Sequence, residues 1–248
     1  MRLISLAASN TEILWALGLT EWLVGVDDFS DFPPEVQQLP RLGPDLQIDL
    51  GRLEALQPDL VLSSLSVPGM ERVVEGLEAR GIPQLVLDPE SLEDVYRNIE
   101  EVAERLGYPE RGKAVVGTMR ASLEELRREL ADHPPLRVMV EWWPRPVIAA
   151  GGRSWVSGLL EAIGLENAFG DRPVRSQVVS SEEVEAAQPE MILVSWCGAK
   201  RLRPELVMKR SWQVPALQAG RVYPLPEAYL GRPGPRLIEG ARQIGALR

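Results

Sequence analysis

Two segments of this chain, 131 residues apart, repeat one another. Leu53-Glu54-Ala55-Leu56-Gln57-Pro58-Asp59-Leu60-Val61-Leu62 returns as Val184-Glu185-Ala186-Ala187-Gln188-Pro189-Glu190-Met191-Ile192-Leu193, with five of ten positions identical. Three further pairs follow in the same order. Arg2-Leu3-Ile4-Ser5 matches Arg137-Val138-Met139-Val140. Ile13 to Leu19 matches Leu159 to Leu165, each ending Gly-Leu. Gly81 to Val86 loosely matches Ala219 to Pro224. Four pairs in register predict a chain built twice from one plan. Two similar lobes enclose a cleft, and clefts between domains are where small ligands bind.

The repeating unit reads as α/β. Leu3–Leu6, Leu23–Val26, Leu60–Ser63 and Gln84–Leu87 are short apolar runs separated by helical patterns. That alternation predicts a mainly parallel sheet covered by helices on both faces. Ser9, with Glu12 three residues on, reads as a capping box opening the first helix, and Gly18 as its stop. Residues 49–57, 70–80 and 91–106 are the next helices. From Glu110 to about Ala131 Pro is absent, and Val115, Met119, Ser122, Leu126 and Leu130 form one apolar stripe. About 22 residues at 1.5 Å each make a rod of roughly 33 Å. Such a rod either joins two lobes or lies on the surface of one. The boundaries are 1–108 for the first lobe, 109–133 for the rod and 134–248 for the second lobe.

Charge and residue counts remove several function classes. A net charge of −9 argues against nucleic acid as a partner. With one His and one Cys, the usual zinc sites are out of reach, and no metal or cofactor is expected. A Ser-His-Asp or Cys-His nucleophile would depend on His133 alone, and no elbow motif flanks a serine. Gly107-Tyr108-Pro109-Glu110-Arg111-Gly112-Lys113-Ala114 nearly spells a phosphate-binding loop. However, Ala114 lacks the metal-binding hydroxyl, and the segment follows a helix rather than a strand. These absences favour a non-enzymatic binding protein, expected to be a monomer.

In parallel sheets, ligands sit beyond the carboxyl ends of the strands. Phe29 and Phe32 follow the second strand, Trp142 and Trp143 the strand opening the second lobe, Trp196 and Cys197 the echo strand, and Tyr229 the last strand. For each aromatic, packing and ligand contact are both open readings; together they fit a broad, flat, apolar ligand. Trp15 and Trp22 read as core. Gly231-Arg232-Pro233-Gly234-Pro235-Arg236 either starts the last helix or aims a guanidinium at ligand carboxylate, amide or phosphate groups.

Several of these motifs together resemble a known family. They are Ser9-Asn10-Thr11-Glu12-Ile13-Leu14, Ala16-Leu17-Gly18-Leu19, Ser30-Asp31-Phe32-Pro33-Pro34, the Gln57-Pro58 echo, Ala150-Gly151-Gly152-Arg153-Ser154-Trp155, Val179-Ser180-Ser181-Glu182-Glu183-Val184 and Gly231 to Arg236. The chain resembles the substrate-binding proteins of ABC importers for cobalamin, siderophores and haem, most closely the cobalamin-binding branch. The resemblance implies two α/β lobes joined by one rigid helix and a cobalamin-like corrinoid held in the cleft between them. It implies docking to an ABC permease through one glutamate per lobe. Phe32 and Arg232 fall where it expects ligand contacts; with Trp142, Trp143, Trp196 and Tyr229 from the strand-end reading, they are the expected ligand-binding residues. Glu182 matches the second-lobe docking glutamate. In the first lobe the expected position holds Gly51, and Glu54 stands one turn on.

Two further departures from the family pattern stand out: Phe32 stands where the cobalamin binders often carry tyrosine, and Val174-Arg175-Ser176 replaces a tryptophan-bearing stretch. Cys197-Gly198, by contrast, is similar to leaderless relatives. Met1-Arg2-Leu3-Ile4 runs directly into the first predicted strand, leaving no room for a signal peptide. The resemblance implies an extracytoplasmic protein; the first residues make a cytoplasmic one the alternative. The alternatives in function are a ferric-siderophore or haem carrier of the same importer class, or a cytosolic corrinoid carrier, sensor or tetrapyrrole enzyme.

Finally, 40 residues separate Ile13 from Leu53, but only 25 separate Leu159 from Val184. The extra length contains Ser30 to Pro34 and Asp45, so the first lobe is expected to carry its own ligand-shaping segment.

Overall fold

The computed structural model describes residues 1–199 and 201–248. The chain forms two compact units, Met1–Pro89 with Asp94–Gly117, and Glu90–Glu93 with Thr118–Arg248. Among the described residues no helix is long and apolar enough to cross a membrane.

The first unit runs β1 (Leu3–Ser5), α1 (Ala8–Ala16), β2 (Leu23–Val26), α2 (Leu50–Ala55), β3 (Leu60–Ser64), α3 (Glu71–Glu78) and β4 (Gln84–Leu87). The strand order is β2-β1-β3-β4, and every pairing is parallel. This is the sheet expected from short apolar strands alternating with helices. Ile4, Leu6 and Val61 from the sheet side pack with Leu53, Val73 and Leu77 from α2 and α3. Burial of this kind, not local propensity, holds so short a helix as α2. α4 (Leu92–Arg105) begins in the second unit and continues in the first; α5 (Pro109–Glu129) begins in the first and ends in the second.

The second unit adds β5 (Arg137–Pro144), β6 (Val147–Ala150), α6 (Trp155–Ala162), β7 (Glu166–Asn167), β8 (Ser176–Val178), α7 (Ser181–Ala187), β9 (Met191–Val194), α8 (Pro204–Met208), α9 (Pro215–Gln218), β10 (Val222–Pro224), α10 (Glu227–Leu230) and α11 (Leu237–Gly245). Its sheet order is β10-β9-β5-β6-β8, with β7 paired to the start of β5.

The repeat is exact in backbone detail at several points. Leu3 pairs with Leu60 as Val138 pairs with Met191. The Arg2 amide donates to the Asp59 carboxylate at 2.6 Å, and the Arg137 amide to Glu190 at 2.9 Å. α1 and α6 end identically. Gly18 at φ +69° and Gly164 at φ +78° take the left-handed position that only glycine adopts without strain. The following amides reach back, Leu19 to Leu14 O and Leu165 to Leu160 O, both at 2.9 Å.

The structure corrects several expectations. α1 starts at Ala8 with Ala7 as its N-cap and no side-chain cap, so Ser9 and Glu12 form no capping box. Their side chains are buried instead, because the start of α1 is packed beyond the end of β1. The rod is helical as expected, but its buried stripe is Val116, Met119, Leu123, Leu126 and Leu130. Met119, Leu126 and Leu130 are as expected, while Val115 and Ser122 lie on the flank and their next neighbours Val116 and Leu123 are buried in their place. Trp15 is exposed rather than core, and Trp22 is half-buried against Tyr108, with ring centroids 5.6 Å apart.

The second unit also departs from the plan. Trp142 and Trp143 lie inside β5, not after it, because the strand turns at Arg145-Pro146 into the antiparallel β6. The register slips between Glu141 and Trp143, leaving Trp142 as the extra residue of an irregular pairing. β8 pairs antiparallel with β6, so this sheet is mixed where the first is wholly parallel.

Candidate functional site

The carboxyl ends of the first unit's strands open onto the 23 residues between β2 and α2, numbers 27–49. A buried polar network fixes the start of this segment against α1. Ser30 Oγ donates to Asp27 Oδ1 at 2.5 Å, and the Phe29 amide donates to Asp27 Oδ2 at 2.9 Å. Thr11 Oγ1 lies 2.8 Å from Ser5 Oγ and 2.7 Å from Ser30 Oγ. Ser5 donates to Ala7 O and Ser30 to Asp27, so the Thr11 proton serves one of its two neighbours. Arg41 Nη1 closes the loop from the other side, donating to Asp27 O at 2.8 Å and Ser30 O at 2.7 Å. Asn10 Nδ2 ties α1 to the end of β3 through Leu62 O and Ser63 O. These groups are satisfied internally, as buried polar groups must be.

On this frame sit the aromatics. Phe32 is half-buried and meets Trp15 edge to face, centroids 4.7 Å apart at 76°. Trp15 is 42% exposed and Phe29 46%. Leu46 and Val67, on loops following β2 and β3, are the unit's other large exposed apolar side chains beside Met1.

In the second unit the predicted residues divide. Trp142 is 8% exposed and Trp196 5%, and Trp196 belongs to the hydrophobic core. Trp196 Nε1 donates to Glu141 Oε1 at 2.9 Å. Glu141 is fully buried and paired with Arg210 through two hydrogen bonds, at 2.5 and 3.0 Å. Arg210 also stacks over Trp212 at 4.4 Å. Trp143 is 43% exposed, its Nε1 donating to Arg145 O at 3.1 Å across its own turn. Tyr229 lies in α10, half-buried, with the Arg236 guanidinium 4.9 Å from its ring centre. Arg232 is half-buried between α10 and α11 in sequence. The exposed Cys197 follows β9, and its amide donates to Trp142 O at 3.1 Å. Trp143 and Tyr229 thus offer surface, whereas Trp142 and Trp196 are packed behind it.

The two candidate docking positions are comparable through the repeat. Glu182 is the second residue of α7, after the Ser180 cap, and Gly51 is the second residue of α2, after the Asp49 cap. Glu182 is fully exposed, and its carboxyl is held below the usual range by its own backbone N–H and then by the Ser180 hydroxyl. A carboxylate at a helix N-terminus is favoured in the charged form. Glu54 corresponds not to Glu182 but to Glu185. It is exposed, 4.0 Å from Arg80.

Reading the sequence missed the Asp27–Ser30–Thr11–Arg41 network and the Glu141–Arg210 pair. The second had a visible signal, since Glu141 falls where the first repeat has Leu6. The first had none, because Arg41 and Asp27 meet only through the fold.

The sequence pattern of the periplasmic binding protein family matches residues 3–229. The vitamin B12-binding protein of Photorhabdus laumondii is 30% identical over 244 residues, 98% of this chain and 86% of its own length. The crystal structure of the periplasmic vitamin B12 binding protein of Vibrio cholerae is 28% identical with a TM-score of 0.81, covering 99% of this chain and 95% of that one. The apo periplasmic heme-binding protein of Roseiflexus sp. RS-1 is 28% identical with a TM-score of 0.82, covering 99% and 97%. Sequence pattern and fold agree over nearly the whole chain, which therefore belongs to the periplasmic binding protein family.

Proposed function

We propose that this chain is a non-enzymatic, monomeric binding protein for a cobalamin-like corrinoid, which it delivers to an ABC permease. The observation that carries this reading is the likeness, along almost the full length, to proteins named for vitamin B12 binding. The geometry supports it. Trp15, Phe29, Phe32, Trp143 and Tyr229 offer aromatic surface at or near the loops that follow the strands. Flat apolar faces of this kind contribute contact area with few directional demands. Arg232 is the guanidinium best placed in sequence for the amide or phosphate oxygens at a corrinoid's edge. Trp142 and Trp196 are buried, and Trp196 holds the Glu141 carboxylate through its Nε1. Glu182 is the docking acid of the second unit; Gly51 leaves Glu54 as the nearest acid of α2.

Haem is the second reading, favoured by the equally close likeness to the Roseiflexus heme-binding protein; a ferric siderophore is tested beside it. The deciding experiment titrates the purified chain with cyanocobalamin, hemin and a ferric hydroxamate, following tryptophan quenching. Micromolar or tighter binding of cyanocobalamin is expected. Binding of hemin alone would move the ligand to haem, and binding of none up to high micromolar concentration would sink the carrier reading. Recovery of chemically unaltered corrinoid after incubation checks that the chain is not an enzyme. An adjacent permease gene distinguishes an importer component from a cytosolic carrier or sensor.

A further inference from the structure

We propose that Trp15 is a positioning residue for Phe32, setting the angle at which that ring meets a flat ligand; this rests on reading Phe32 as a ligand contact. Thr11 and Trp15 are four residues apart in α1 and so share one helix face. The segment carrying Phe32 is laid along that face with matched chemistry. The Ser30 hydroxyl meets the Thr11 hydroxyl at 2.7 Å, and the Phe32 ring meets the Trp15 ring at 4.7 Å. The hydroxyl contact fixes where the segment passes α1. The edge-to-face contact then fixes the ring, since the 76° angle presents the edge of one ring to the face of the other.

The internal repeat separates this pair from ordinary packing. Both partners are peculiar to the first unit. Phe32 lies in the length that the second unit lacks, and Glu161 stands where the repeat places Trp15. Trp15 also remains 42% exposed, so it is not filling a core that any α1 of this plan would need. An exposed tryptophan beside a candidate ligand ring therefore has a local task, which is to support that ring.

The test is a double-mutant cycle read by cyanocobalamin affinity, using Trp15→Ala, Trp15→Leu, Trp15→Phe, Phe32→Ala and the Trp15→Ala/Phe32→Ala pair. Trp15→Ala and Trp15→Leu are expected to weaken binding about three- to tenfold, and Trp15→Phe by less than about twofold, because it keeps a ring in place. In the Phe32→Ala background the Trp15→Ala effect is expected to vanish. An equal effect with and without Phe32, or no effect in a wild type that binds, overturns the proposal. Trp15→Leu keeps the test open if the alanine variant folds poorly. If the wild type binds no cyanocobalamin, the proposed ligand fails separately, and amide exchange of residues 29–32 decides the positioning role without ligand. Exchange at least about tenfold faster in Trp15→Leu supports it; unchanged exchange overturns it.

Discussion

Gln57 and Gln188, 131 residues apart, hold the same left-handed backbone conformation, with φ at 47° and 46°. They are the described non-glycine residues with positive φ, and each precedes the proline that leads into a buried strand. Left-handed φ costs a non-glycine residue on the order of 1 kcal/mol. Gln188 recovers part of this, because its Nε2 donates to Glu185 O at 2.6 Å and Gln213 O at 3.0 Å. Gln57→Gly is therefore expected to stabilise the chain by about 0.5–1 kcal/mol, and Gln188→Gly by less or not at all. Urea unfolding of the two variants checks the order, and a larger gain at position 188 would refute the account.

The same pair shows what was legible in the sequence and why. Gln-Pro, Gly-Leu and the apolar strand runs are local signals, so the elements and their duplication could be read directly. Phase within α5 was harder, since Val115 and Val116 are both apolar and only packing chooses between them. The β5–β6 hairpin was hidden because Pro144-Arg145-Pro146 reads as a break, although the chain reverses there and continues as strand. Among the site residues, Trp143 and Trp196 look alike in sequence. Trp143 is exposed at the end of β5 and bonds its own turn, whereas Trp196 is buried and donates to Glu141, a partner 55 residues away that no local signal reveals.

Glu141 and Arg210 should respond asymmetrically to substitution. Removing one member of a buried ion pair leaves the other uncompensated, at a cost of about 3–5 kcal/mol. The first repeat shows that the equivalent buried position, just past the end of β1, accepts leucine, since Leu6 occupies it. Glu141→Leu alone is therefore expected to destabilise strongly, and Glu141→Leu with Arg210→Met to recover most of the loss. Denaturant midpoints of the single and double variants measure this. A double variant no better than Glu141→Leu would mean that the Trp196 and Pro144 hydrogen bonds, not the charge pair, set the cost.

Glu90 predicts a pH dependence of known sign. Arg153 and Arg175 both pair with its carboxylate, and the Arg153 hydrogen bond is the main cause that lowers its pKa. A depressed folded pKa contributes stability that is present above the unfolded value, about 4.3, and is lost as pH falls through the folded value. The stability difference between wild type and Glu90→Gln should stay level from about pH 7 to pH 5 and shrink below about pH 4. An identical difference at both ends would show that charge is not its source. The pair is partly exposed, so added salt should also reduce the difference.

Two glycines of α5 are expected to give opposite results with the same substitution. A Cβ on Gly112 would lie 2.7 Å from Ala103 Cβ and 3.1 Å from Glu100 Cα, where α4 crosses close by in the first unit. A Cβ on Gly117 would meet nothing within 4 Å. In a helix interior alanine is favoured over glycine by about 1 kcal/mol, so Gly117→Ala should stabilise by roughly that amount. At Gly112 the same gain is outweighed by forcing two helices apart, an overpacking cost of about 1–3 kcal/mol. Guanidinium unfolding of the two variants decides the matter. Stabilisation by both would mean that α4 and α5 yield to an extra methyl group, and destabilisation by both would mean that α5 resists alanine for reasons other than contact.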